Sequence, residues 1–198
     1  MAQPTVFQFK IILQDVIPSP WRRIQMAESC TFWDLHVAIQ NVMGWWDQHL
    51  HEFSVIDPSS EQRCAIGYPD EDDERVVLPS WTTPVQDYLI HPVNEVLSYL
   101  YDFGDSWKHR VEFEGRQSQD AQLPCCLDGR WRCPPEDVGG VRGYHEFLRA
   151  IVDPEDPEHE NYLQWVGGSF DPTAFTPAEV KFDDPRQRLR VALSEEDF

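Results

Sequence analysis

His49 and His51 lie two residues apart in the segment Gly44-Trp45-Trp46-Asp47-Gln48-His49-Leu50-His51-Glu52-Phe53. On a strand that spacing puts both imidazoles on one face. Two neutral imidazoles sharing a face can ligate a transition metal or act as an acid–base pair. Two histidines alone are a weak metal signature, so stacking among Trp45, Trp46 and Phe53, with hydrogen bonds to backbone or Asp47, is the simpler account.

A second cluster runs through Tyr99-Leu-Tyr101-Asp102-Phe103-Gly104-Asp105-Ser106-Trp107-Lys108-His109. A hairpin turn here would present Asp102, Asp105 and His109 together, and carboxylate plus imidazole is the raw material of general acid–base catalysis or of a hard-metal site. Asp and Gly also close tight turns through side-chain bonds to backbone, which is the competing role. The third cluster is Cys125-Cys126-Leu127-Asp128-Gly129-Arg130-Trp131-Arg132-Cys133-Pro134-Pro135-Glu136-Asp137. Cys126 and Cys133 are too far apart for a standard zinc knuckle, so these thiols are small buried hydrophobes by default.

If the clusters converge, the candidate pocket comprises Trp45, Trp46, His49, His51, Tyr101, Asp102, Asp105, Trp107, His109, Glu136 and Asp137. Its widest metal-ligating set is His49, His51, His109, Cys126 and Cys133. That set is compatible with a divalent metal and demands no other cofactor. Dinucleotide, P-loop, HExxH and GxSxG motifs are absent. Arg22 and Arg23 beside Trp21 could clamp one anion, but as strand neighbours they face opposite ways.

The elements that must carry these residues read as α+β. Phe7, Phe9, Ile11 and Leu13 alternate on a strand, Pro18-Ser19-Pro20 turns the chain, and Trp21–Met26 returns. Thr31 and Asp34 form a capping box before a helix with the stripe Leu35, Ile39, Val42, stopped by Gly44. His49–Ile56 then reads as a strand. This β-β-α-β order predicts a β-grasp-like N-terminal half, continued by a hairpin over residues 96–114 and by C-terminal helices, with one mixed sheet. Residues 57–95 hold a short strand near Val76–Leu78 and a short helix from Thr83-Pro84 to Leu89. Residues 124–143 read as loop. Helices follow at Gly143–Ile151 and Glu158–Trp165, a turn at Thr176–Glu179 and a last helix from Asp184-Pro185 to Leu193. A single domain over residues 5–192, with an acidic tail at 193–198, is the expected organisation.

The chain has 198 residues, 41% of them hydrophobic and 13% aromatic, enough to exclude a disordered polymer. With 35 Asp+Glu against 16 Lys+Arg its formal net charge is −19. Phosphate backbones are repelled by such a field, so direct nucleic-acid binding is not expected. The acidic runs Asp70–Glu74 and Asp153–Glu160 are expected to be solvated loops. No signal-peptide pattern opens the sequence, no apolar run could span a bilayer, and an odd count of five Cys favours free thiols. A cytoplasmic location without membrane attachment is expected.

PSPWRRIQM, TFWDLHVAIQNVMGWWDQHLHEF, YLYDFGDSWKHRVEFEG, CLDGRWRCPPEDVGGVRGYHEFLRAI and WVGGSFDPTAF occur in that order. In these motifs the chain resembles the plasmid pRiA4b ORF-3-like family over almost its whole length. The resemblance implies a compact α+β domain carried on plasmids, in insertion elements and in bacterial and archaeal genomes, with no established activity. Some members are labelled resolvase-like, yet no marked nucleophilic Ser and no basic tail accompany that label here. Val138 stands where many relatives have Cys, which weakens a thiolate-rich metal site. The expected function is a binding or adaptor domain of mobile genetic elements, recognising a small ligand or protein partner through the aromatic/His/Asp groove. The alternative is a metal-assisted hydrolase using the same clusters.

Overall fold

In the computed structural model, which describes residues 5–70, 75–118 and 122–194, alternation in the first strand does what it promises. Phe7, Phe9, Ile11 and Leu13 of β1 (Thr5–Leu13) are all fully buried on one face. β1 pairs antiparallel with β2 (Trp21–Ala27). The capping box of Thr31 and Asp34 opens α1 (Phe32–Met43), and Gly44 ends it in the left-handed conformation, φ 82°. Ten of the helix's residues are buried, His36 and Gln40 among them, because α1 is covered on two sides. The core lies on one side. On the other, Trp33 Nε1 donates to the Pro185 carbonyl at 2.8 Å and Asn41 bonds Asp183.

The remaining strands are β3 (His51–Ile56), β4 (Arg63–Gly67), β5 (Val77–Pro79), β6 (Val96–Tyr101), β7 (Trp107–Ser118) and β8 (Cys125–Arg130). They form one mixed eight-stranded sheet in the order β5-β4-β3-β6-β7-β1-β2-β8, parallel only between β4 and β5. The hairpin β6–β7 is inserted between β3 and β1, so β3 joins the N-terminal hairpin through it. Helices α2 (Gln86–Leu89), α3 (Gly140–Ala150), α4 (His159–Trp165) and α5 (Pro185–Ser194) complete the α+β fold. Tyr144 and Phe147 of α3 pack with Tyr162, Trp165 and Phe170 as an aromatic cluster.

Two strands were not expected. β4 is short and half-buried, and β8 lies in the stretch read as loop. β8 carries Asp128 and Gly129, poor strand formers, yet it pairs with β2. Its Gly129 is required because Phe175 and the Trp21 carbonyl pack where a side chain would stand. The last four acids of the Asp70–Glu74 run and the end of the acidic tail lie at residues 71–74 and 195–198, outside the described residues, while Leu193 and Ser194 close α5.

Candidate functional site

The turn between β6 and β7 is built by Asp102, which adopts φ 55° at the end of β6. Its N–H donates to the Leu50 carbonyl, and its Oδ1 accepts from the backbone N–H groups of Gly104 at 2.8 Å and Asp105 at 3.1 Å. Asp102 is therefore a turn residue on one oxygen. The other, Oδ2, faces His49 Nε2 at 3.6 Å. From the opposite side Asp137, itself at φ 63°, places Oδ1 2.7 Å from the same nitrogen.

What brings the two carboxylates together is a clamp between loops. Asp105 Oδ2 accepts the Gly139 N–H at 3.1 Å, and Gly140 lies so close that a Cβ there would stand 2.7 Å from the Asp105 carbonyl oxygen. Glu136 adds a second tie: one carboxylate oxygen accepts the Trp46 N–H at 2.6 Å, the other the Tyr101 hydroxyl. Among the described residues, His49, Asp102 and Asp137 are the group of His, Cys, Asp and Glu whose ligand atoms converge within 4.8 Å. Burial alone would depress the His49 pKa, but the hydrogen bond to Asp137 and the charges of Asp102, Asp137 and Glu136 outweigh it and raise it.

Other expected members of the pocket are withdrawn into the core. His51 is buried, whereas His49 stays half-exposed at the rim. β3 begins only at His51, and His49 and Leu50 lie before it outside any strand, so period-2 alternation does not govern the pair. The buried His51 ring stacks flat on His36, centroids 3.6 Å apart, and burial with the neighbouring imidazole pushes its pKa well down. His109 is buried beside Trp45 and Tyr99 with Nδ1 against the Trp107 carbonyl, and burial pushes its pKa down to about 3. Trp45, Tyr101 and Trp107 are core residues, Trp45 stacking on Tyr101 and donating Nε1–H to Pro134.

The wider metal set is likewise not assembled. Cys126 sits half-buried on β8, and Cys133 is buried against Met43, accepting from Arg22 Nη2 at 3.2 Å. Burial raises the thiol of each, with the Arg22 charge opposing it. Arg22, facing away from Arg23 as strand neighbours must, is buried: it donates to the Val42, Trp21 and Arg130 carbonyls and lies 3.5 Å from the Phe175 ring centroid.

Reading the clusters alone misses His36 and Gln40, whose i,i+4 spacing on α1 is the signal that could have found them. Gln40 donates to the Tyr99 hydroxyl at 2.9 Å. The arrangement is satisfied when that hydroxyl donates to His36 Nδ1 (2.8 Å) and His36 Nε2–H donates to Asp47 (2.7 Å). Arg188 of α5 closes the chain on the other Asp47 oxygen at 3.3 Å. Asp47 thus serves a buried polar network rather than the candidate site.

Of the aromatics expected in the pocket, Trp46 is the exposed one, 77% accessible where Trp45 is 3%. It borders two grooves. One, of about 880 Å³, is lined also by Met43, Arg132, Asp137, Trp165 and Phe175. The other, of about 690 Å³, is bounded by Gln48, Asp183, Asp184, Arg188 and Val191.

Residues 5–179 match the plasmid pRiA4b ORF-3-like protein family. The chain belongs to this family. Its WWDQHLHEF, YDFGDSW and PPEDVGG segments supply His49, Asp102 and Asp137 respectively. An uncharacterised family member, y4hQ of Sinorhizobium fredii, is 36% identical over 173 residues, covering 83% of this chain and 82% of its own length. A crystal structure of MM3350, a protein of unknown function from Methanosarcina mazei Go1, is similar at a TM-score of 0.82 and 37% identity, over 90% of this chain and 98% of that one.

Proposed function

We propose that this pRiA4b ORF-3-like protein is a recognition domain that holds a basic segment of a partner protein across Trp46 and the two grooves beside it. The observation that carries the reading is Trp46 itself: a tryptophan 77% exposed, fixed through its backbone N–H to Glu136, on the ridge between grooves. An anchored, exposed Trp is the residue type that dominates binding energy at interfaces. The net charge of −19 steers a cationic partner and repels an anionic one, and Lys or Arg side chains pair with an indole face. The hydrolase alternative loses His51 and His109 to the core and Asp105 to the Gly139 N–H, which favours recognition over catalysis. The plasmid in the family's name supports a partner encoded on a mobile element. Five unpaired thiols, and described helices none of which is long and apolar enough to cross a membrane, support a cytoplasmic setting.

Selection of random displayed peptides on the purified protein tests this. Lys- and Arg-containing peptides are expected to enrich, to bind more weakly as salt rises, and to lose roughly 30-fold in affinity with Trp46→Ala. Enrichment of acidic peptides, or of peptides indifferent to Trp46→Ala, would contradict the reading.

A further inference from the structure

We propose that His49, Asp102 and Asp137 bind a divalent first-row metal ion, best matched by Zn²⁺, at the rim of the larger groove. The three ligand atoms come from three separate segments and are already gathered: Nε2 of His49 lies 2.7 Å from Asp137 Oδ1 and 3.6 Å from Asp102 Oδ2, and all three lie within 4.8 Å of one another. Ligands each about 2.1 Å from one zinc ion stand roughly 3.0–3.4 Å apart in octahedral or tetrahedral geometry. These two separations bracket that range, so small side-chain rotations suffice once the ion displaces the Nε2 proton that His49 shares with Asp137.

A second observation points to the same place. The Asp102 side chain is 10% exposed, and its Oδ2 accepts no hydrogen bond from the described residues, whereas Oδ1 accepts two. That undonated oxygen still reaches solvent at the rim, so a cation entering from the groove can meet it. The rest of the carboxylate is held rigidly by the turn, and the clamp of Asp105 on Gly139 and the close approach at Gly140 keep the turn and the Asp137 loop in register. The ligands are therefore positioned by the fold rather than by the ion.

One imidazole nitrogen and two carboxylate oxygens suit Zn²⁺ or Mn²⁺. Ca²⁺ needs more oxygens, Mg²⁺ binds imidazole poorly, and no thiolate is near to favour softer ions. Three protein ligands leave at least one coordination position, and with Asp137 and Trp46 both lining the groove it faces that groove's contents. The ion would accept a carbonyl or carboxylate oxygen of whatever binds there. This inference does not depend on the basic-segment reading, since the metal alone is the probe.

Calorimetric titration of the full, EDTA-treated chain with ZnCl₂, MnCl₂ and MgCl₂ decides it. One equivalent of Zn²⁺ is expected to bind with a micromolar Kd, Mn²⁺ more weakly and Mg²⁺ undetectably. His49→Ala and Asp102→Asn should each weaken Zn²⁺ by at least tenfold, and the Co²⁺ form should lack a sulfur-to-metal charge-transfer band. Asp137→Asn lies on an exposed loop and keeps the test valid should Asp102→Asn fail to fold. Absence of binding below millimolar Zn²⁺, affinity unchanged in Asp137→Asn, or a thiolate band abolished by Cys126→Ser would overturn the proposal.

Discussion

His109 donates its Nδ1 proton to a backbone carbonyl and lies wholly inside the core, so protonating Nε2 would bury a charge. Its pKa falls to about 3 in the folded chain against about 6.5 for a free imidazole, and that of His51 is also lowered. Between those values the unfolded chain binds the proton and the folded chain does not. The stabilisation is therefore complete above pH 6.5 and is lost progressively as pH falls towards 3. Urea melts at pH 7, 6 and 5 should show a small loss of unfolding free energy in the first step and, for His109, a loss approaching about 1.4 kcal/mol in the second. His109→Leu should remove one proton's worth of that slope, whatever it does to the stability at pH 7. Arg22 gives a second residue-scale expectation. Its planar guanidinium reaches three carbonyls and the Cys133 sulfur at once, which an ammonium cannot reproduce. Arg22→Lys should destabilise by about 2 kcal/mol or more in the same melts.

At the scale of elements, the candidate site depends on one loop-to-turn contact. Gly140→Ala introduces a Cβ 2.7 Å from the Asp105 carbonyl at φ 67°, while Gly44→Ala at φ 82° meets open space. The first should therefore cost about 1–3 kcal/mol more than the second in thermal melts, because overpacking adds to the left-handed penalty that both share. It should also loosen the spacing of Asp102 and Asp137. This dependence explains which parts of the molecule were legible in the sequence. β1, β2, α1 and the β6–β7 hairpin announce themselves through period-2 alternation, a capping box and turn residues, all local signals. β8 does not, because its strand character comes from pairing with β2 rather than from its own Asp-Gly composition. His49 and Asp102 were visible as cluster members, and so was Asp137. Their convergence was not, since it is set by Gly139 and Gly140 meeting a turn more than thirty residues earlier. His51 departs from its expected place for a local reason: the strand starts at His51 itself, so the alternation that would have made it a partner of His49 never reaches residue 49.

For the whole molecule the charge of −19 sets the long-range behaviour. Self-repulsion opposes the compact state and is screened by salt, so the melting temperature should rise by a few degrees between 20 mM and 500 mM NaCl. Basic peptides should weaken over the same range, the two trends moving oppositely from one cause. The fold is shared with MM3350 at a TM-score of 0.82 and 37% identity.

On the proposed reading a partner binds at Trp46 and its flanking grooves while the buried histidines stay out of it. Backbone and indole chemical-shift mapping of the labelled protein, titrated with a selected basic peptide, tests this directly. Shifts are expected to concentrate on Trp46, Gln48, Arg132, Glu136 and Asp137, with the His51 and His109 rings unmoved. Shifts centred on the β4–β5 edge, or on the His36–His51 stack with Trp46 unchanged, would contradict it.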